Sequence, residues 1–185
     1  VTTAVAIGIG NIRGASVQSE SGKMVAAIRY LYTLSVLNGK NYRLVIDVGE
    51  GSYWGEMQDS RDPCKSFLLS DEEEDKEADK KDAEEDETQP ATASFGLAKS
   101  RLLKKRKLPK GIAFGGVMTS HQSELSVDGQ AHVNFFPNGT AEAAMLYIQD
   151  ADDDDDVMTV EVLSLQGSAR IYDDKLSLDE FFDQG

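Results

Sequence analysis

The sequence predicts an α+β fold, in which one long N-terminal α-helix packs on an antiparallel β-sheet or β-sandwich. Three observations lead there. Apolar residues recur at helical spacing as far as Asn38, they recur at a period of two from Tyr42 onward, and each later apolar run is short and bounded by turn residues.

Residues 1–38 read as the helix. Val17, Met24, Ile28, Leu31 and Leu34 form a stripe at spacings of three, four and seven, with Glu20, Lys23 and Arg29 interleaved, and Asn38-Gly39 supplies the stop. At about 1.5 Å per residue such a helix would be about 57 Å long, nearly twice the span of a small domain, so one end is expected to project. The two halves differ in kind. The stretch 24–37 is amphipathic, and Met24, Ile28, Leu31 and Leu34 are expected to pack on the sheet. The stretch 1–12 is apolar around most of its circumference, with only Thr2, Thr3 and Asn11 polar. A helix apolar on all sides belongs in lipid or among other helices, which makes Val1, Val5, Ile9 and Ile12 the candidate partner-facing residues. No run of 18 or more apolar residues occurs, and because the chain opens on Val rather than Met, processing or trimming upstream is expected.

After Gly39 the period changes to two. Tyr42, Leu44, Ile46 and Val48 fall on one face and Arg43, Val45 and Asp47 on the other; Gly49-Glu50-Gly51 then leads into a hairpin partner at 52–57. Further strands are expected at 112–119, 124–127, 131–136, 143–149, 157–165 and 169–172, separated by Asp128-Gly129, Pro137-Asn138-Gly139, the aspartates 152–156 and Gln166-Gly167. A short amphipathic turn is expected at 176–182.

Residues 58–107 break the pattern. Twelve acidic and three basic residues fill 71–87, and 99–107 is basic. Charge blocks of this kind bury little apolar area and are expected to stay solvated, as an insertion between strands. The expected organisation is therefore a helical segment (1–38), a globular β-domain (39–57 with 108–185) and the charged insertion (58–107).

Composition excludes several functions. Thirty-three acidic against nineteen basic residues give a net charge of −14, which repels a phosphate backbone and argues against nucleic acid as a partner. Cys64 is the single cysteine, so an internal disulfide, a thiolate metal cage and a CxxC redox pair are all ruled out. His121 and His132 stand in no metal-binding spacing, and no GxSxG elbow gives a nucleophile its strained turn. Gly8, Gly10 and Gly14 form GxGxxxG, but a dinucleotide site needs a strand before it; close helix packing through small residues explains the glycines better. The aspartates 152–156 offer a weak calcium possibility without the alternation, Gly and terminal Glu of an EF-type loop, so no cofactor is expected. The basic run Lys104-Lys105-Arg106-Lys107 is expected to be neutralised by the acidic block on its own loop.

Particular segments carry a resemblance. AAIRYLYTLSVLNGKNYRLVIDVGEGSYW (26–54), LPKGIAF (108–114) and VNFFPNGTAEAAMLYIQDADDDDDVMTVEVLSLQGSARI (133–171) follow one another as helix, YRLVID hairpin, LPxGI strand, FFPDG(S/T) turn and closing GxxRI strand. This ordered set resembles the GspH/FimT family of minor pseudopilins, whose fold is type IV pilin-like, over residues 1–57 and 108–173; within it the type II secretion pseudopilin H is the most similar. The resemblance implies that VTTAVAIGIG is the lower half of a pilin transmembrane helix, and that about 10 to 20 further apolar residues would complete a span of about 20. The family's processing glycine and assembly glutamate have no counterpart here.

The resemblance implies a non-enzymatic subunit of a type II secretion system, anchored in the bacterial inner membrane by one span with its globular domain in the periplasm, and assembled at or near the tip of the pseudopilus. Its implied partners are the minor pseudopilins I, J and K and the major pseudopilin G. Two other readings stand beside it. Some family members bind DNA during uptake through GRxR; the matching residues are Gly167, Ser168, Ala169 and Arg170, so Arg170 alone remains as a DNA contact, with Ser in place of the first Arg. A periplasmic hydrolase using a metal at 152–156 is the other.

Overall fold

The computed structural model describes residues 7–58, 95–98, 100–153, 155–165 and 167–177. Its first element, α1 (Ile7–Asn38), is followed by β1 (Tyr42–Asp47), β2 (Ser52–Gln58), β3 (Phe95–Leu97), β4 (Arg106–Lys107), β5 (Ile112–Thr119), β6 (Gln130–Phe135), β7 (Ala144–Asp150), β8 (Val157–Val162) and β9 (Ala169–Tyr172). One helix with antiparallel sheets gives the expected α+β architecture.

Two sheets form. Sheet A runs β3-β2-β1-β6, with β4 also on β2, and sheet B runs β5-β7-β8-β9, all pairs antiparallel. The helix touches β1 and β6 of sheet A and β7, β8 and β9 of sheet B, so it packs on both sheets rather than one. Along it Val17, Ser21, Met24, Ile28, Leu31 and Ser35 are buried, a line of alternating fours and threes that keeps one face inward for five turns. Leu34 packs at the margin of the same core, half-buried. From the sheets, Leu44, Ile46, Val133 and Phe135 meet Leu146, Ile148 and Val160 in one cluster with the helix stripe. Burial of this kind stabilises by about 1.5 to 3 kcal/mol per large side chain.

The helix ends where Gly39 turns left-handed, with φ +62°, and Lys40 N–H returns to Ser35 O at 3.3 Å. Ser35 Oγ donates to Phe136 O at 3.2 Å, and Tyr32 Oη to Gly139 O at 3.2 Å, which ties the helix C-terminus to the turn after β6.

The structure revises the insertion. Sequence pattern placed all of 58–107 outside the domain, yet the chain rejoins sheet A at Phe95. Leu97, Gly96 and Phe95 pair with Glu56, Met57 and Gln58, while Arg106 and Lys107 pair with Tyr53 and Ser52. β3 and β4 are thus two pieces of one edge strand, interrupted by a loop with a 3-10 turn at Arg101–Leu103. Ala98 N–H bonds Gly55 O at 3.0 Å, carrying the ladder one residue past β3, and Leu108 N–H bonds Gly51 O at 2.8 Å, carrying it one residue past β4. Leu103, 2 % exposed, enters the core from this segment, just ahead of buried Leu108.

Two strand expectations also shift. Residues 124–127 make no strand; Ser126 alone bridges Val117, because Leu125 instead turns in against Gly116, whose φ of +143° marks the bulge in β5. β8 stops at Val162, since 163–168 close a turn in which Leu163 N–H meets Ser168 O at 2.9 Å and Gly167 takes φ +52°. Of the tail expected at 176–182, residues 178–182 lie outside the described residues; Leu176 packs beside Met118, Met145, Tyr147 and Val157.

Candidate functional site

With no nucleophile or metal-ligand pattern in the sequence, the functional surfaces to weigh are those a partner could touch: the helix ahead of the core, the outer face of sheet A, and the loops that flank the helix. Val1 and Val5 lie outside the described residues. Ile9 and Ile12 belong to the first two turns of α1, and the buried stripe begins at Val17, ten positions or about 15 Å into the helix. Met24, Ile28 and Leu31 are buried and Leu34 half-buried, so this second group serves the core. Among the described residues no helix is long and apolar enough to cross a membrane.

The outer face of sheet A is built by the alternation that turns Tyr42, Leu44 and Ile46 inward. Arg43 stands opposite Glu56 on β2, and its Nε donates to Glu56 Oε2 at 2.8 Å; the other carboxylate oxygen accepts from Trp54 Nε1 at 2.7 Å. The same guanidinium lies over the Phe95 ring, 4.2 Å from its centroid. Lys105 sits 4.9 Å over Trp54 and pairs with Glu50 at 2.5 Å. The lysine holds the Glu50 carboxyl below the ordinary carboxylate range, chiefly by that hydrogen bond and then by its charge. One chain of contacts therefore clasps both ends of the interrupted edge strand to β2. Lys105 finds a counter-charge on the β1–β2 hairpin, a pairing the linear charge pattern hides; the acidic block at 71–87 lies outside the described residues. Beneath, burial pushes the Tyr53 phenol up from its usual value, while neighbouring Arg106 pulls the other way.

Arg170 is exposed on β9 opposite Glu161, which also accepts from Tyr172 Oη at 2.7 Å. The arginine's nearest cross-strand partner is thus an acid, and Ser168 lies in the turn before it. At 152–156 the described aspartates serve the hairpin itself: Asp150 Oδ1 accepts from Asp152 N–H at 2.9 Å, and Asp153 Oδ1 from Asp155 N–H at 3.2 Å. Asp156 lies beside Gly14 of the helix, at ordinary contact distance from where a β-carbon would stand. Among the described residues no group of three or more His, Cys, Asp or Glu side chains is placed to hold a metal.

His121, which stands in no metal-binding spacing in the sequence, has a structural partner. It pairs through Nδ1 with Glu142, whose second oxygen accepts from Asn134 N–H at 3.2 Å and Asn134 Nδ2 at 3.0 Å. Glu142 is almost fully buried, so this carboxylate joins the loop after β5 to the outer edge of β6. The partners stand eight and 21 residues away, too far for any local pattern to announce them.

No family profile matches the sequence, and no characterised protein is similar to it in sequence. Solved structures are similar in fold. A structure of the minor pseudopilin EpsH from the type 2 secretion system of Vibrio cholerae aligns with TM-score 0.55 at 9 % identity, over 88 % of this chain and 99 % of that one. A crystal structure of the same pseudopilin gives TM-score 0.54 at 10 % identity, over 88 % and 97 %. The solution structure of Escherichia coli GspH gives 0.54 at 7 %, over 86 % and 89 %. A helix laid across two antiparallel sheets in this order is the fold that those minor pseudopilins have, and this chain shares it over most of its length.

Proposed function

We propose that this chain is a structural minor pseudopilin of a type II secretion system, without catalytic activity, that takes its place in the pseudopilus at or near the tip and serves protein export. The observation that supports the reading best is the fold likeness, which spans nearly all of the EpsH structure and most of this chain. The make-up of α1 fits it: a buried stripe from Val17 onward belongs to the domain, and the sequence ahead of it, with Ile9 and Ile12, is apolar and suits contact with helices of other subunits.

In this reading the N-terminal helix is held in the inner membrane with the globular domain in the periplasm, and it leaves lipid only when neighbouring helices bury it in the fibre core. Assembly is then a transfer between two apolar surroundings. The partners are the minor pseudopilins I, J and K and the major pseudopilin G.

The test is copurification of the chain with the pseudopilins of its own genome, run beside a DNA mobility-shift assay at two salt concentrations. A stable complex with pseudopilins and no shift of DNA is the expected result. Salt-sensitive DNA binding lost in Arg170→Ala, without pseudopilin partners, would replace the secretion reading with DNA uptake; activity on a hydrolase substrate abolished by chelator would replace both.

A further inference from the structure

Sheet B is apolar on both faces. Leu146 and Val160 belong to the core beneath the helix, while Met118, Met145, Tyr147 and Val157 are buried in a second cluster on the opposite face. Register places them on that one surface: Met118 stands opposite Met145, and Tyr147 opposite Thr159. An apolar face of this kind needs a cover, and two segments supply it. Leu125 packs on it from the loop after β5, and Leu176 from the segment that follows β9.

The two covers are attached differently. The loop of Leu125 is joined to β5 by two backbone bonds between Val117 and Ser126, of 2.9 Å each. Residues 173–177 belong to no strand and, among the described residues, make no backbone-to-backbone bond. Side chains of the sheet hold their backbone instead. Thr159 Oγ1 donates to Asp174 O at 2.7 Å and accepts from Leu176 N–H at 3.1 Å, and Tyr147 Oη donates to Leu176 O at 2.7 Å. The same phenol oxygen lies 3.2 Å from Met145 Sδ, which puts this thioether at the point of attachment. Lys175 stands 5.3 Å over the Tyr147 ring, itself exposed, and Leu176 is only half-buried. Among the described residues, then, two hydroxyls, a leucine and a lysine carry the attachment, whereas the sheet below is a four-stranded ladder.

Elements held so unequally open with unequal free energies. We propose that residues 173–177 form a strap that releases from sheet B while the helix and both sheets stay folded, and that it gates access to Met145 and the apolar face around it. Thr159 is the latch: one hydroxyl closes two of the bonds, so its loss frees Asp174 and Leu176 together. Methionine suits a face that is covered and uncovered, because its flexible thioether repacks readily. The inference goes beyond the fibre reading and does not depend on it.

The experiment exposes the full chain to dilute hydrogen peroxide, which converts an accessible methionine to its sulfoxide, and follows each methionine by peptide mass spectrometry in urea below the unfolding transition. Met24, beneath the helix, reports global unfolding; it and Met145 are both 1 % exposed, so static burial alone predicts equal rates. Met145 is expected to oxidise about tenfold faster or more, with little dependence on urea because release exposes little surface, while the Met24 rate climbs with urea. Thr159→Val and Leu176→Ser should each speed Met145 by about tenfold or more again and leave Met24 unchanged, whereas Thr159→Ser, which keeps the hydroxyl, should retain the parent rate. Equal rates and equal urea dependence for Met145 and Met24 in the parent, or variants that speed both methionines alike, would show that the segment opens only with the whole domain and would overturn the proposal.

Discussion

Leu103 occupies the space that a side chain on Gly55 would need: a β-carbon built there would stand 2.9 Å from both Cβ and Cδ2 of Leu103. The 3-10 turn in the interrupted edge strand thus plugs a hole that β2 leaves open, and it is this plug, together with the clasp of Arg43, Trp54 and Lys105, that returns the chain to the sheet.

The plug predicts coupled energetics. Leu103→Ala empties the site and should cost about 2 to 5 kcal/mol, whereas Gly55→Ala overfills it and should cost about 1 to 3 kcal/mol. In the double variant the new methyl takes up part of the vacated space, so the combined loss should fall short of the sum by about 0.5 to 3 kcal/mol. Urea titration of the four proteins checks this, and strict additivity would mean that the two residues do not share a site.

Much of this architecture was legible in the sequence, for a physical reason: where one face of an element is buried, periodicity records it. The helix end at Asn38, the register of Tyr42, Leu44 and Ile46, and the limits of β5 and β9 follow from alternation and from Gly at turns. The return at Phe95 was hidden because Arg101, Lys104, Lys105, Arg106 and Lys107 dominate that stretch, and a single Leu103 reaching Gly55 has no period to betray it. The same holds for Glu142. Its partners are set by topology, so nothing near Ala141 or Ala143 marks the glutamate as buried.

Glu142 supplies the second prediction. A buried carboxylate that accepts from Asn134 twice and pairs with His121 takes an acceptor from the Asn134 donors and an ion-pair partner from the imidazole when it is removed. Glu142→Ala should therefore lose about 1 to 3 kcal/mol, and Glu142→Gln less, since an amide oxygen still accepts. His121→Ala should cost least of the three, because the imidazole is partly solvated. Thermal melts that rank His121→Ala as the most damaging would show that the link is held from the loop rather than from the strand.

Tyr53 makes stability fall in alkali. Its phenol titrates above the ordinary value of 10.0, mainly because burial disfavours the phenolate. The folded state thus holds this proton more tightly than the unfolded chain, so the contribution is complete below the unfolded value and is lost as pH rises through the folded one. Tyr53→Phe should leave stability near neutral pH close to that of the parent and flatten the decline above about pH 10, within the range set by that shift. An alkaline limb identical in both proteins would assign the decline to other groups.

The two parts of α1 predict opposite failures. Leu31 is 0 % exposed in the stripe that faces both sheets, so Leu31→Asp would place a carboxylate in the core with no cation to meet it, and at least about 3 kcal/mol should be lost. Ile9 and Ile12 precede Val17, the first buried position among the described side chains, by more than a turn. Replacing both with Asn should leave the melting temperature of the domain within a few degrees of the parent, yet, on the proposed function, abolish copurification with pseudopilins, since the amides would have to be buried unpaired in an apolar helix bundle. The pair separates folding from assembly. Should the Ile9 and Ile12 variant melt early, those residues belong to the domain's own core and not to a fibre interface; should it melt normally and still copurify, contacts between subunits run through the β-domain alone.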